Sequence, residues 1–171
     1  EAGSWPNLTT AIIQGQELCE VQGVPRGIML YGGTGGDMGA PLEGLKKIQL
    51  ISSYLEHRQQ DIEKYNLNNN IDKSLTINGR NMTNLGIFRK YINQYLATHP
   101  GINKDMSMMC RHLQPTEKGI PIEVYAFSND KRWINYEYIM ADIFDHIIAS
   151  VPYFDLEIYE LPSGKGIFTE E

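Results

Sequence analysis

Asp142 and His146 stand four residues apart in a run of helical periodicity, with Asp145 beside them, so a carboxylate and an imidazole fall on one helix face. Such a pair can pass a proton or help to hold a metal ion. A third matched ligand and a His-Glu-x-x-His pattern are both missing from the sequence, and the preferred reading is a solvated helix face or a subunit contact. His57 neighbours Arg58 on a polar helix face, His99 sits at a helix end where a positive ring would complement the dipole, and His112 follows Arg111 in a strand. Each has a structural role that suffices. No Ser or Cys occurs in a Gly-x-Ser-x-Gly or Cys-with-His setting, and Met106, Met108 and Met109 read as packing residues.

Two further stretches invite a ligand. Gly32-Gly33-Thr34-Gly35-Gly36-Asp37-Met38-Gly39 has the glycine density of a phosphate cradle. However, Met38 stands where the dinucleotide pattern needs its third Gly, and Gly-Lys-Ser/Thr is absent, so a linker is the better reading. Trp133, Tyr136 and Tyr138 gather with Lys131 and Arg132 and could stack on a ligand ring or on bases. The same mixture marks protein interfaces, which an acidic chain favours. No catalytic, cofactor-binding or metal residue is assigned, and no enzyme is expected.

These residues need elements to hold them. The helix expected at 132–151 sets Tyr136, Ile139, Met140, Ile143, Phe144, Ile147, Ile148 and Val151 at intervals of three and four, one stripe to bury. Before it, 106–113 and 120–127 alternate apolar with polar around the turn-rich loop 114–119, as a hairpin would. After it, 156–161 reads as another strand. Upstream, 75–77 reads as a strand with Asn78-Gly79 as its turn signal. A second helix then starts at Thr83 or Asn84, buries Leu85, Phe88, Ile92, Tyr95 and Leu96, and stops at His99-Pro100-Gly101. The resulting order is β-α-β-β-α-β: an α+β, ferredoxin-like fold with both helices on one face of an antiparallel sheet.

A long helix is expected to precede this unit, from Leu42 to about Tyr65, with Leu45, Ile48, Leu55 and Ile62 on one narrow stripe. So polar a helix is expected to lie against the domain or a neighbouring subunit rather than inside a core. Three brief strands are conceivable at 9–13, 18–21 and 27–31. The chain thus divides into an N-terminal segment 1–41, read as a fusion, a linker or a divergent β region, a helical insertion and linker 42–73, and the ferredoxin-like domain 74–171.

A chain of 171 residues with 42% hydrophobic and 21% charged content is long enough to bury a core. Its net charge of -6 and pI near 5.2, with scattered Lys and Arg, argue against nucleic-acid binding. Cys19 and Cys110 lie far apart without metal-ligand neighbours, and reduced thiols of a cytosolic setting are expected. Asn7-Leu8-Thr9 and Asn81-Met82-Thr83 match the glycosylation acceptor pattern, which is short enough to recur by chance. No run approaches the roughly 20 apolar residues of a membrane-spanning helix, and no signal peptide is visible.

Three blocks carry a resemblance: Asn78-Gly79-Arg80-Asn81-Met82-Thr83-Asn84-Leu85-Gly86-Ile87-Phe88-Arg89, Leu113-Gln114-Pro115-Thr116-Glu117-Lys118-Gly119-Ile120-Pro121, and Met140-Ala141-Asp142-Ile143-Phe144-Asp145. They resemble the cytoplasmic C-terminal region of the MscS-like mechanosensitive ion channels, closest to the YbdG-type branch. Leu45-Lys46-Lys47-Ile48-Gln49-Leu50 through Tyr65-Asn66 resembles the helical insertion of that branch. The likeness spans roughly residues 42–163 and does not extend to 1–41.

The resemblance implies a bacterial inner-membrane channel that opens under tension and releases solutes on hypo-osmotic shock. The matched part would be an α/β domain on the cytoplasmic side, walling a vestibule built from seven subunits. The pore would lie in sequence outside this chain, and no cofactor is implied. Two other readings stand beside it: a ferredoxin-like small-molecule sensor domain, and a nucleotide-using enzyme built on Gly32–Gly39.

Overall fold

The computed structural model describes residues 27–30 and 42–159. The glycine-rich loop at 32–39, the strands conceived at 9–13 and 18–21, and Cys19 lie outside them. Within the described residues the chain runs β1 (Gly27–Leu30), α1 (Leu42–Leu45), α2 (Ser52–Asn68), α3 (Asn84–Thr98), β2 (Met109–His112), β3 (Ile120–Tyr125) and α4 (Trp133–Ser150), with a closing 3-10 turn at Val151–Phe154. This is a mixed α+β architecture with an antiparallel sheet.

Strand β3 is central in a three-stranded sheet of order β1-β3-β2. Cys110 faces Val124 and His112 faces Ile122 across the β2-β3 pair, while Gly27 pairs with Glu123 and Leu30 with Ile120 on the other side. Paired residues share a face, so Cys110, Val124 and Ile122 look one way and Arg111 and Glu123 the other. An ion pair joins Arg111 Nε to the buried Glu123 carboxylate across the strands.

The Cys110 face closes the core. Phe88, Ile92 and Leu96 of α3, Met140, Ile143 and Ile147 of α4, and Ile122 and Val124 of β3 form one buried cluster with Val151 and Phe154. Phe154 sits between the rings of Phe88 and Tyr91, with centroids 5.0 and 5.1 Å away. Both striped helices thus feed a single core with one face of the hairpin. Their starts and stops follow local chemistry: the Thr83 hydroxyl accepts from the Gly86 amide at the head of α3, and Lys104 Nζ donates to the Leu96 and His99 carbonyls at its tail. On α4, Asp130 accepts from the Arg132 amide and the Asn135 side chain, which replaces the cap that Arg132 cannot supply.

Several expectations need correction. The long helix breaks: α1 ends at Leu45, turns follow, and Ile51 precedes α2 with φ -130 and ψ 0. Six residues of continuous helix would turn Leu45 about 120° away from the stripe of Ile51, Leu55 and Ile62. The break lets all four bury, and Leu45, Ile51 and Leu55 enter the main core rather than resting on its surface. Leu75, Thr76 and Ile77 form no strand; they lie in turns, with Leu75 and Ile77 62% and 67% exposed. Three residues with no partner strand cannot satisfy their backbone in a ladder. From Leu156 to Tyr159 the only strand-like pairing is an isolated bridge at Ile158, and the rest of the strand expected at 156–161 lies outside the described residues. Ile148, placed in the buried stripe of α4, is 42% exposed.

The edge strand β2 has a guard. The amide of Cys110 turns away from β3 and donates to Asn93 Oδ1 of α3 at 2.9 Å, while Asn93 Nδ2 donates to the Arg89 carbonyl.

Candidate functional site

Helices α3 and α4 meet along a polar seam. Tyr91, Tyr95 and His99 recur every four residues on α3, and Asp142 and His146 are four apart on α4, so each set faces the other as a row. The Tyr91 hydroxyl lies 2.6 Å from His146 Nε2, the Tyr95 ring stacks on the His146 imidazole with centroids 3.8 Å apart at 4°, and His99 Nε2 is 2.9 Å from Asp142 Oδ2. Asp142 and His146, singled out from the sequence, therefore do not join each other. Each takes a partner from the opposite helix.

His99 is held on every side. It follows α3, where its amide donates to the Tyr95 carbonyl, and the Gly101 amide donates to its Nδ1 at 3.1 Å. With Nδ1 accepting, Nε2 carries the proton and donates to Asp142. The turn that carries it is pinned by Asn129, whose side chain donates to the Pro100 and Ile102 carbonyls. Gly101 is needed there, since a Cβ would come within 2.9 Å of Ile139 on α4. Both ring nitrogens of this 7% exposed histidine are thus engaged in hydrogen bonds.

Burial lowers the pKa of His146, with Asp142 opposing the shift and His99 adding to it, so its imidazole is neutral near pH 7. Burial raises Tyr91, and burial together with the Asp142 charge lifts Tyr95 to about 12. Tyr91, Tyr95 and His146 thus meet as neutral rings, and the seam fastens two helices. Among the described residues, no group of three or more His, Cys, Asp or Glu could hold a metal ion.

The other candidates scatter. His57 lies exposed on α2, 3.6 Å from Asp61. His112 is exposed on β2. Cys110 is buried, and desolvation pushes its thiol up to about 12, which denies it a thiolate. Of the three methionines, Met108 packs against the core, Met106 is half-buried and Met109 is 41% exposed. Trp133 and Tyr138 are 67% and 72% exposed on α4, whereas Tyr136 packs inward, so the aromatic group divides between two faces.

Two surfaces stand out instead. On α4, Ile134, Tyr138, Ala141, Asp145 and Ile148 are exposed at spacings of four, three, four and three, a heptad seam on the face opposite the core stripe. The second is the connection from α2 to α3. There Asn66, 7% exposed, accepts from the Arg80 amide at 2.8 Å and donates to the Arg80 carbonyl at 2.9 Å. Lys73 Nζ donates to the Thr76 and Asn78 carbonyls and to Asn81 Oδ1, and the Arg80 guanidinium lies over the Tyr65 ring. This firmly built loop holds Leu75 and Ile77 out to solvent. Between it and α2 runs an open groove of about 430 Å³ lined by Gln59, Glu63, Lys73, Arg80 and Met82.

Sequence reasoning missed Tyr91 and Tyr95 as seam residues and Asn66 as a clamp. The four-residue spacing of Tyr91, Tyr95 and His99 was a visible signal; nothing local distinguishes Asn66 within a run of asparagines. No helix among the described residues is long and apolar enough to cross a membrane. No family model matches the chain.

Proposed function

We propose that this chain is the cytoplasmic vestibule domain of a bacterial MscS-like mechanosensitive channel, a ferredoxin-like wall segment that associates with copies of itself and performs no catalysis. The observation that carries the reading is the outer face of α4: a helix already burying one stripe presents a second apolar seam to solvent. Monomeric domains seldom keep such a face, and a ring wall requires one. The quoted sequence blocks support it by falling on the parts that build the domain: the Arg80 clamp with the head of α3, the β2-β3 hairpin, and the middle of α4. The order α3-β2-β3-α4 is also that of the middle of a split β-α-β unit.

The test is the reading frame that encodes the chain. Upstream of Glu1 it should specify membrane-spanning helices and a β domain, and the full-length product should give tension-gated currents in excised membrane patches. A secretory leader or a catalytic domain in that frame overturns the proposal. A second reading, a small-molecule sensor, draws on the groove beside α2. It expects one class of small anion or metabolite to raise the melting temperature through linkage, and an Arg80→Ala variant to lose that rise.

A further inference from the structure

The two exposed apolar surfaces carry opposite charge. Helix α4 bears Glu137 and Asp145, with Asp142 turned to His99, and no Lys or Arg between Trp133 and Ser150. Residues 63–80 bear Lys64, Lys73 and Arg80 against Glu63 and Asp72, a small positive excess. Among the described residues neither Lys73 nor Arg80 takes a carboxylate partner: Lys73 is held by carbonyl and amide oxygens, and Arg80 lies over an aromatic face.

From this complementarity we infer that the loop bearing Leu75 and Ile77 in one copy docks on the Ile134-Tyr138-Ile148 face of α4 in the next. The inference rests on the self-associating reading above and names the surfaces that meet. An α4-on-α4 contact is disfavoured, because it would bring carboxylates together around Asp145 with no cation within the helix to offset them. The loop supplies what α4 lacks, two large apolar side chains flanked by Lys73 and Arg80. It also arrives ordered: the Asn66 clamp, the Lys73 bonds and a 2.7 Å bond from Asn78 Nδ2 to the Asp72 carbonyl fix it before any partner comes. Little conformational entropy is then lost on docking. Because the two surfaces differ, the contact is head-to-tail, and successive copies close into a ring or extend as a filament.

Single cysteines test the geometry in the full chain with Cys19→Ser, since Cys110 is buried. Ile77→Cys and Tyr138→Cys replace exposed side chains. Under mild oxidation, a 1:1 mixture of the two variants should form a disulfide-linked dimer, neither variant alone should do so, and a chain with both substitutions should form a ladder. Arg80→Glu should reduce the mixed dimer several-fold, and Asp145→Arg added to the other copy should restore it. Dimers from Tyr138→Cys alone overturn the inference. So does the absence of a mixed dimer when light scattering reports more than one chain, an outcome that leaves ring assembly through other surfaces standing. One chain by light scattering with no mixed dimer overturns self-association of this chain as well.

Discussion

Phe88 has no exposed surface and packs at a tilt against Phe154 at the centre of the core, so its removal leaves a hole that the surrounding rings cannot fill. Phe88→Ala should cost about 3–5 kcal/mol in urea unfolding, a large share of the stability of a domain this size. Cys110 offers a chemical readout of the same core. Its buried thiol, held near 12, should react with a maleimide only on opening of the fold, orders of magnitude more slowly than in urea.

His146 gives the pH response. Its folded pKa lies below the ordinary 6.5, so in that window the unfolded chain binds a proton the folded chain refuses. Stability is full above about pH 6.5 and falls as pH drops through the lowered value. Denaturation midpoints at three pH values between about 7.5 and 5 should show the decline, and His146→Gln should flatten this part of it. At the residue scale the sequence disclosed the helix-facing residues well, because Phe88, Ile92, Met140, Ile143 and Ile147 announce themselves by spacing. It disclosed the seam poorly: the partners of Asp142 and His146 lie 43 and 55 residues away, across a contact that no local pattern encodes.

Among the elements, α3 and α4 were legible nearly to the residue, since each has a strong apolar period and α3 adds a chemical start and stop signal. The stretch from 42 to 80 was not. A period of three and four runs almost unbroken through the break between α1 and α2, and only the need to bury Leu45 with Ile51 forces the chain to turn. Asn78-Gly79 was read as the turn that closes a strand at 75–77, whereas its glycine serves a different purpose. Gly79 has φ +68, and a Cβ there would stand 2.4 Å from Asn66 Oδ1. Gly79→Ala should therefore cost at least about 1–2 kcal/mol from the left-handed backbone alone. It should also release the 71–80 loop from α2, seen as faster amide exchange at Arg80 than in the parent.

For the whole molecule, the α+β class with an antiparallel hairpin followed from the order of the periodic segments, but the sheet did not. Strand β1 comes from the N-terminal region and pairs with β3 across about 90 intervening residues, a long-range choice that short apolar runs such as 27–31 do not encode. The result is a small sheet whose centre is well protected and whose described outer edge, β2, is four residues long.

That edge depends on one side chain. With the Asn93 carboxamide seated on the Cys110 amide, the rim of the sheet has one fewer donor with which to recruit a foreign strand. Asn93→Leu should leave the helix intact by circular dichroism and yet make the protein bind thioflavin on prolonged warming, while the parent stays clear. A single amide on a helix would then be what separates orderly assembly from fibril growth.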